Sequence, residues 1–299
     1  MEVCGRQIKV TGRLLRIARL DADKFHFLEG DPELLLNGLR SSDSRIDLFT
    51  FMQRLPDTAP KFTYPMEWDN FAAIPVSTFD NWWTKQIGFK ARNKAKQAEK
   101  KGVLIREIPF SDELVQGIWE IYNECPIRRG RRFQHYGKPL QTVHREEATY
   151  LDSSVFIGAF LEDRLIGFIK MVMDETRTQA GLMNIVSLIR ERDKAPTNAL
   201  VAHAVRACAS RGIAYLTYSN FAYGKKLQDS LSDFKERNAF QRIDVPRYYV
   251  PLTPLGNAAF RLGLHHRIAE RIPESFAERL RTLREAWYNR RFQPISEPS

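Results

Sequence analysis

The sequence contains few cysteines and no long apolar run. Cys4, Cys125 and Cys208 are odd in number and lie far apart in the chain, so they match neither a disulfide framework nor a zinc site. No segment approaches the ~18–20 apolar residues that a membrane-spanning helix needs. The N-terminus alternates charged and apolar residues, without the apolar core of a signal peptide. These absences predict a soluble protein of the reducing cytoplasm with no membrane span.

The usual phosphate-binding and metal-binding motifs are also missing. There is no Walker-type loop and no G-x-G-x-x-G loop. His265 and His266 are adjacent, and no compact spacing of His, Cys and carboxylate residues accompanies them. We therefore expect no metal. A nucleophilic Cys125 is an alternative to the commoner role of a free cysteine as a small buried hydrophobe.

What the chain has in excess is positive charge. Its 299 residues carry a formal net charge of +10, and the isoelectric point is near 9.6. Hydrophobic residues make up 43% of the chain, which is enough to bury a core. A basic balance of this size favours an acidic partner, such as nucleic acid, a nucleotide-like cofactor or an anionic surface.

Much of this charge lies in the stretch Trp82–Arg106, which holds eight lysines and arginines against one acid, Glu99. The apolar residues of the region recur at helical steps of four, four, four, four and three: Phe79, Trp83, Ile87, Ala91, Ala95 and Ala98. This spacing predicts one helix from Thr78 to Gly102. Its lysines form either an ordinary wet face or a surface that follows the phosphates of RNA or another polyanion.

The second half of the chain gives the clearest order of elements. It reads as three strands, a helix, a strand, a helix and closing strands: Val155–Leu161, Leu165–Asp174, Ala180–Ile189, Thr197–Arg211, Ile213–Ser219, Lys225–Asn238 and Gln241–Thr253. The first half repeats this order in a shorter form. The tail from Asn257 to Phe292 is predicted to be helical and rich in arginine.

This order, with a charged turn between the third strand and the next helix, resembles the GNAT acyltransferase fold. The double arrangement resembles the FemABX-type relatives, which carry two such modules. The segments that carry the likeness are "KARNKAKQAEKKGVLIRE", "NALVAHAVRACASRGIAYLTYS" and "DFKERNAFQRIDVPRYYVPL". In the last of them, Ala239 stands where the family usually has glycine.

The resemblance implies an α/β fold with a mixed (α+β) sheet, the GNAT-like fold, built as two modules with a C-terminal helical tail. We expect a degenerate module at residues 1–110, a donor-binding module at 111–256 and an arginine-rich tail at 257–299. In GNAT proteins the third core strand splays from its neighbour and receives the arm of acyl-CoA. The following helix offers its free N–H groups to pyrophosphate.

Carried onto this chain, the resemblance implies a donor site at the end of the third strand and the start of the next helix. The expected contacts are Ser187, Leu188, Ile189, Arg192, Lys194, Pro196, Thr197 and Asn198. The family loop is glycine-rich, whereas this chain has no glycine between Gly181 and Gly212. Acyl-CoA is the preferred donor because it is the commoner one for the fold, and aminoacyl-tRNA stays open. A capped helix with a solvated loop is the alternative.

The segment "IRRGRRFQHYGK" lies earlier in the chain, at residues 127–138, in the expected acceptor region. The forked guanidinium groups of its arginines suit carboxylate and phosphate. Its candidate substrate contacts are Arg128, Arg129, His135 and Tyr136. Acyl transfer to an amine needs a base, a stabilised oxyanion and a protonated leaving group. Glu124 is the preferred base, with His135 and His144 as alternatives. Backbone N–H groups of Ser187–Ile189 are the oxyanion donors, and Tyr218 and Tyr223 are candidate acids.

The sequence therefore predicts an N-acyltransferase. It would move an acyl or aminoacyl group from a CoA thioester or aminoacyl-tRNA to an amine. The alternative is a non-catalytic protein that binds nucleic acid or another polyanion on a degenerate acyltransferase scaffold. RNA is a possible partner in both cases, and the oligomeric state stays undetermined.

Overall fold

The computed structural model describes residues 1–28, 30–128, 130–222, 230–266, 282–284, 286–288 and 290. The strands are β1 Glu2–Val3, β2 Arg6–Thr11, β3 Ile17–Leu20, β4 Leu48–Met52, β5 Met66–Pro75, β6 Val103–Ile108, β7 Ile127–Arg128, β8 Arg131–Arg132, β9 Ser154–Leu161, β10 Arg164–Met173, β11 Gln179–Ser187, β12 Tyr215–Asn220 and β13 Gln241–Pro251. The helices are α1 Glu33–Arg40, α2 Phe79–Asn81, α3 Phe89–Lys100, α4 Asp112–Asn123, α5 Leu140–Glu147, α6 Pro196–Ser210, α7 Ser230–Arg237 and α8 Pro254–Arg261.

Eleven of these strands form one mixed sheet in the order β1-β2-β3-β4-β13-β5-β12-β11-β10-β9-β6, and β7 and β8 form a separate small hairpin. Neighbouring strands run antiparallel except in the pairs β3–β4 and β11–β12, which are parallel. The predicted fold class, a mixed sheet with helices, is confirmed.

The same order of elements, three strands, a helix and a strand, occurs twice along the chain. In each copy the third strand and the last strand form the parallel pair. The first copy is β1, β2, β3, α1 and β4, and the second is β9, β10, β11, α6 and β12. Strands β13 and β5 lie between the two copies and pair with each other. The boundary at residue 110 remains a prediction, and β6, which it assigns to the first module, pairs with β9 of the second.

Helices cover both faces of the second half of the sheet. Along β10, Phe168 contacts Tyr122 of α4, and Lys170 donates to the backbone of Glu147 in α5. Met171, by contrast, meets Cys208 of α6. Successive side chains of a strand point to opposite faces, so α4 and α5 lie on one face and α6 on the other.

Helix α6 packs against α3 through small residues. Ala91, Ala95 and Ala98 of α3 are buried, as their spacing predicted, and so are Ala199 and Ala204 of α6. Small side chains let two helices approach closely, which brings the basic residues of α3 near the start of α6.

The predicted helix from Thr78 to Gly102 is not continuous. After α2 and one turn of π-helix, the chain extends at Ile87 and Gly88, with ψ of 134° and 142°, before α3 begins. The N–H of Gly88 donates to the carbonyl of Arg237 at 2.9 Å. A Cβ on Gly88 would lie 3.0 Å from that oxygen. The end of α7 therefore occupies the space that a continuous helix would fill.

The chain after β13 begins with α8, whose start is capped by the Thr253 hydroxyl accepting from the Gly256 N–H. Most of the predicted helical tail lies outside the described residues. Among the helices that the structure describes, none combines the length and apolar character needed to cross a bilayer.

Candidate active site

Strands β11 and β12 part in the middle of the sheet. They pair only where Gln179–Gly181 meets Tyr215–Thr217, although β11 continues to Ser187 and β12 to Asn220. Beyond the paired part, β12 has an irregularity between Thr217 and Asn220, and Ser219 takes a left-handed φ of 48°. Such an irregularity redirects a strand. The splayed third strand implied by the family resemblance is therefore present.

The gap opens into a cleft of about 950 Å³. Its walls come from the end of β11, the turn after it, the start of α6, one side of α3, the loop after α4, and α7. Among the predicted site residues, the cleft is lined by Arg128, Ser187, Leu188, Ile189, Arg192, Pro196, Thr197, Asn198 and Tyr218.

The charged side chains that line the cleft are all cationic in the described part of the chain. They are Lys90, Lys94, Arg128, Arg192 and Arg237, and no aspartate or glutamate is among the lining residues. Lys90, Lys94 and Gln97 follow a helical i, i+4, i+7 spacing along α3. The basic helix noted in the sequence thus turns one edge toward the cleft, which favours a negatively charged ligand.

Backbone N–H groups point into the gap from β11. The N–H of Leu188 donates to Ile166 of β10 at 2.8 Å. Because hydrogen-bonding direction alternates along an antiparallel pair, the N–H groups of Ile185 and Ser187 point away from β10. The Ser187 carbonyl points the same way and accepts from Arg128 at 2.7 Å. Ser187 is a predicted oxyanion donor, and Ile185 presents a second N–H group to the gap that the sequence analysis did not single out.

A buried polar network holds β11 on the face of the sheet that α4 and α5 cover. The carboxylate of Glu147 accepts from Tyr122 Oη at 2.8 Å and from Asn184 Nδ2 at 2.9 Å. Burial raises the pKa of Glu147 and also that of Tyr122. Lys170 donates to the carbonyls of Glu147 and Thr149, and burial lowers its pKa to about 8. These contacts fix Asn184 within the open part of the strand, next to Ile185.

The turn between β11 and α6 uses most of its own N–H groups. Three of them donate to carbonyls within the turn at 3.0–3.1 Å: Arg192 to Ile189, Lys194 to Glu191, and Ala195 to Arg192. The N–H of Asn198, in the first turn of α6, donates back to Ala195 at 3.2 Å. Ala195 takes the left-handed φ of 54° that favours glycine. The missing glycines noted in the sequence thus accompany a turn bonded to itself, with few N–H groups left for pyrophosphate.

The predicted general base, Glu124, is bonded within the protein. Its carboxylate accepts from the Ile189 N–H at 2.6 Å, from the Arg190 N–H at 3.1 Å and from Arg128 Nη2 at 3.1 Å. The Glu124 side chain is only 12% exposed. A carboxylate engaged in this way positions the turn between β11 and α6. It also occupies the N–H of Ile189, which was expected to polarise the acyl carbonyl.

Arg128 lines the cleft but is held by the protein itself. Besides Glu124 and the Ser187 carbonyl, it donates to the carbonyl of Ile121 at 2.9 Å, and its guanidinium lies 4.7 Å from the centre of the Phe133 ring. Burial lowers the pKa of Arg128. The predicted substrate contact therefore acts first as a tie between α4, its loop and the end of β11.

Lys194 also departs from its predicted role. Its ammonium pairs with Glu191 at 2.7 Å, and this hydrogen bond raises the pKa of Lys194. Glu191 is also bound to Arg164, and Lys194 is not among the residues that line the cleft. Lys194 thus forms its ion pair within the turn, and Arg192 is the cation of the turn that lines the cleft.

The remaining predicted contacts divide into two groups. His135 stacks on Tyr122, with ring centres 4.3 Å apart, and burial lowers its pKa. Tyr136 is exposed, and neither side chain lines the cleft. His144, an alternative base, lies 3.5 Å from Asp112 and outside the cleft lining. Arg129 and Tyr223 lie outside the described residues, so their predicted roles stay predictions.

Tyr218 stands at the β12 side of the gap, half-buried and in the cleft lining. The ammonium of Lys235 lies 4.8 Å from the centre of its ring and bonds to the carbonyls of Asn220 and Phe221. Lys235 is fully buried. The sequence analysis did not single it out, although it lies in the "DFKERNAF" segment that carries part of the family resemblance.

Comparison with known proteins adds three similar folds. No protein-family model and no curated protein matches the sequence. The C-terminal domain of a putative lysylphosphatidylglycerol synthetase from Agrobacterium fabrum is 13% identical, with a TM-score of 0.54 over 85% of this chain and 83% of that one. L-PGS from Bacillus licheniformis is 14% identical, with a TM-score of 0.55 over the same shares. FemX is 10% identical, with a TM-score of 0.54 over 86% of each chain.

These likenesses span nearly all of the chain rather than one half of it. Together with the parted strands and the repeated element order, they establish a GNAT-like fold of the FemABX type. The fold predicted from the sequence is therefore confirmed, and the activity is a separate proposal.

Proposed function

We propose that the protein is an N-acyltransferase whose acyl donor is an aminoacyl-tRNA. The observation that carries the proposal is the gap between β11 and β12, with the N–H groups of Ile185 and Ser187 directed into a cleft lined by cations. The acyl carbonyl would lie in this gap, where two N–H groups stabilise the oxyanion that develops as the amine attacks.

The cleft favours a polynucleotide donor over acyl-CoA. A CoA pyrophosphate would need free N–H groups in the turn before α6 and at the start of that helix. The N–H groups of Arg192, Lys194 and Ala195 bond within the turn, however, and that of Asn198 bonds to the Ala195 carbonyl. The carboxylate of Glu124 occupies two more. The available positive charge lies on side chains instead, at Lys90 and Lys94. Lysines spaced along a helix suit successive phosphates of a nucleic-acid backbone.

The transfer step follows from the same geometry. The acceptor amine forms a C–N bond with the aminoacyl carbonyl carbon, and the C–O bond to the ribose breaks. Tyr218 lines the cleft, and its hydroxyl would protonate the leaving ribose oxygen and regain a proton from water. The amine would give its proton to water, since Glu124 is engaged elsewhere. The similarity to FemX and to lysylphosphatidylglycerol synthetases supports aminoacyl transfer at the level of fold.

The decisive experiment compares the two donors on the same protein. Binding of a non-hydrolysable aminoacyl-tRNA analogue and of CoA would be measured by fluorescence anisotropy and thermal shift across a salt series. We expect tRNA binding that weakens steeply with salt and no stabilisation by CoA. The double variant Lys90→Glu/Lys94→Glu should weaken tRNA binding by about 100-fold and lower the salt slope by roughly two.

The matched control is Lys96→Glu/Lys100→Glu, which makes the same charge change at exposed positions of α3 outside the cleft lining. It should weaken tRNA binding much less. Stabilisation by CoA, with equal effects of the two double variants, would favour the CoA-dependent version. Binding of tRNA without transfer of a labelled amino acid to any amine would leave the non-catalytic polyanion binder as the function.

A further inference from the structure

A second group of reactive side chains lies where α8 ends against β5. Glu67 belongs to β5, whereas His265 and His266 follow α8 almost 200 residues later; the separations are 198 and 199 residues. The Nε2 atoms of both histidines lie 3.1 Å from the same oxygen, Oε1 of Glu67. Among the described residues, these three are the ones whose donor atoms come close enough to hold one metal ion.

The position of His265 is fixed by its surroundings. Its side chain is 2% exposed, and its ring lies 5.0 Å from Phe260, nearly parallel at 19°, and 4.6 Å from Tyr249. The turn that carries it is closed by the Leu264 N–H donating to the Ala259 carbonyl at 2.7 Å. The Nε2 atom is therefore presented to Glu67 by a packed ring rather than by a mobile side chain.

The separations suit a tetrahedral ion. Metal–ligand bonds of 2.0–2.2 Å place neighbouring ligand atoms roughly 3.3–3.5 Å apart, and the two measured N···O separations are 3.1 Å. The three donor atoms all lie within 4.8 Å of one another. A small adjustment of the exposed side chains, 35% for Glu67 and 37% for His266, would bring the three atoms around one ion.

We propose that Glu67, His265 and His266 form a Zn²⁺ site that fastens the chain after α8 to the sheet. Two imidazoles and one carboxylate form a ligand set typical of zinc, with water at the fourth position. Nitrogen ligands favour such a borderline metal over Mg²⁺ or Ca²⁺, which bind through oxygen atoms. This site would involve β5, β13 and α8, and it is separate from the residues that line the cleft.

The test is Zn²⁺ binding to the full-length protein after treatment with a chelator, measured by isothermal titration calorimetry. Visible absorption of added Co²⁺ would report tetrahedral coordination. We expect one equivalent of Zn²⁺ to bind and to raise the unfolding temperature. Glu67→Gln and His266→Ala should each weaken binding at least tenfold, and both positions are exposed enough for the variants to fold.

The control is His144→Ala, which removes a histidine that also lies beside a carboxylate, Asp112, at 3.5 Å but has no second histidine there. It should bind Zn²⁺ like the unaltered protein. Failure to bind one equivalent, or equal binding by Glu67→Gln, His266→Ala and His144→Ala, would overturn the proposal. In that case the three side chains form only a hydrogen-bonded carboxylate–imidazole cluster.

Discussion

The parallel pairs β3–β4 and β11–β12 are built in the same way but end differently. In both, three strands precede a helix that crosses to the fourth strand. At the start of α1, the carboxylate of Asp31 accepts from the Glu33 N–H at 2.9 Å. The start of α6 has Ala195 and Pro196 in its place, without a side-chain cap among the described residues.

The charged groups around the starts of α1 and α6 also differ. Near α1, Glu33 accepts from Tyr64 at 2.6 Å and pairs with Arg40, so the acidic groups at this helix start are already engaged. Near α6, Lys90 and Lys94 of α3 border the open cleft. Since a helix start attracts anions, α1 satisfies this tendency with its own carboxylate, whereas the start of α6 has no side-chain cap among the described residues and lies beside lysines.

Among the substitutions that test this contrast, the largest change in the free energy of unfolding is expected at Arg128. Its pair with Glu124 is nearly buried, with side chains 15% and 12% exposed. Arg128→Ala would leave the carboxylate without its cation and should lower the free energy of unfolding by about 3–5 kcal/mol. Urea denaturation at neutral pH measures this, and transfer activity should be lost because the end of β11 loses its tie.

The matched change near α1 is Arg40→Ala. Its pair with Glu33 is exposed at 44% and 43%, so the loss should be at most about 1 kcal/mol. Equal losses for Arg128→Ala and Arg40→Ala would contradict the view that the cleft is held by buried charges and the first module by exposed ones.

An intermediate effect is expected from Asp31→Ala, which removes the carboxylate that caps α1. The N–H of Glu33 would lose its partner, and the free energy of unfolding should fall by about 1 kcal/mol. Because this helix is not part of the proposed donor site, tRNA affinity should stay the same. Chemical denaturation and anisotropy on one preparation would test both statements, and a change in tRNA affinity would show that the two helix starts are not independent.

The smallest effect is expected at two alanines with left-handed backbone conformations. Ala195 has a φ of 54° and Ala239 a φ of 67°, and this conformation costs an L-residue more than it costs glycine. Ala195→Gly and Ala239→Gly should each raise the free energy of unfolding by about 0.5–1 kcal/mol. Thermal unfolding of the two variants would measure the gain.

The control is Ala199→Gly, in the interior of α6 where φ is helical. It should lower the free energy of unfolding by about 1 kcal/mol, because glycine is a poor helix former. If all three substitutions destabilise the protein, the left-handed turns are held by packing of the alanine methyl groups rather than strained by them.

Much of the fold was predictable because its signals are local. Period-two and period-3.6 patterns marked β9 to β12 and α6 to within a few residues. The alanine spacing gave the buried face of α3. The break at Gly88 was not predictable, since its cause is the carbonyl of Arg237, far along the chain.

The candidate site divides in the same way. Ser187, Pro196, Thr197 and Asn198 were predicted and do line the cleft, because they sit where a strand ends and a helix begins. The bonding partners of Glu124 and Lys194 were not predicted. The residue type shows that each side chain carries a charge, but it does not show that the side chain is already bonded to another group of the folded chain.

The sequence by itself determined the order of strands and helices, the buried faces and the excess of positive charge, since each depends on neighbouring residues. The tertiary structure alone decided which charges remain available to a ligand. Lys90 and Lys94 border the cleft, whereas Lys194 is paired with Glu191. Glu67 meets His265 and His266 only because the sheet brings distant segments together. Hydrogen bonds and ion pairs act over a few ångströms in space, so their partners depend on the folded path of the chain rather than on its local pattern.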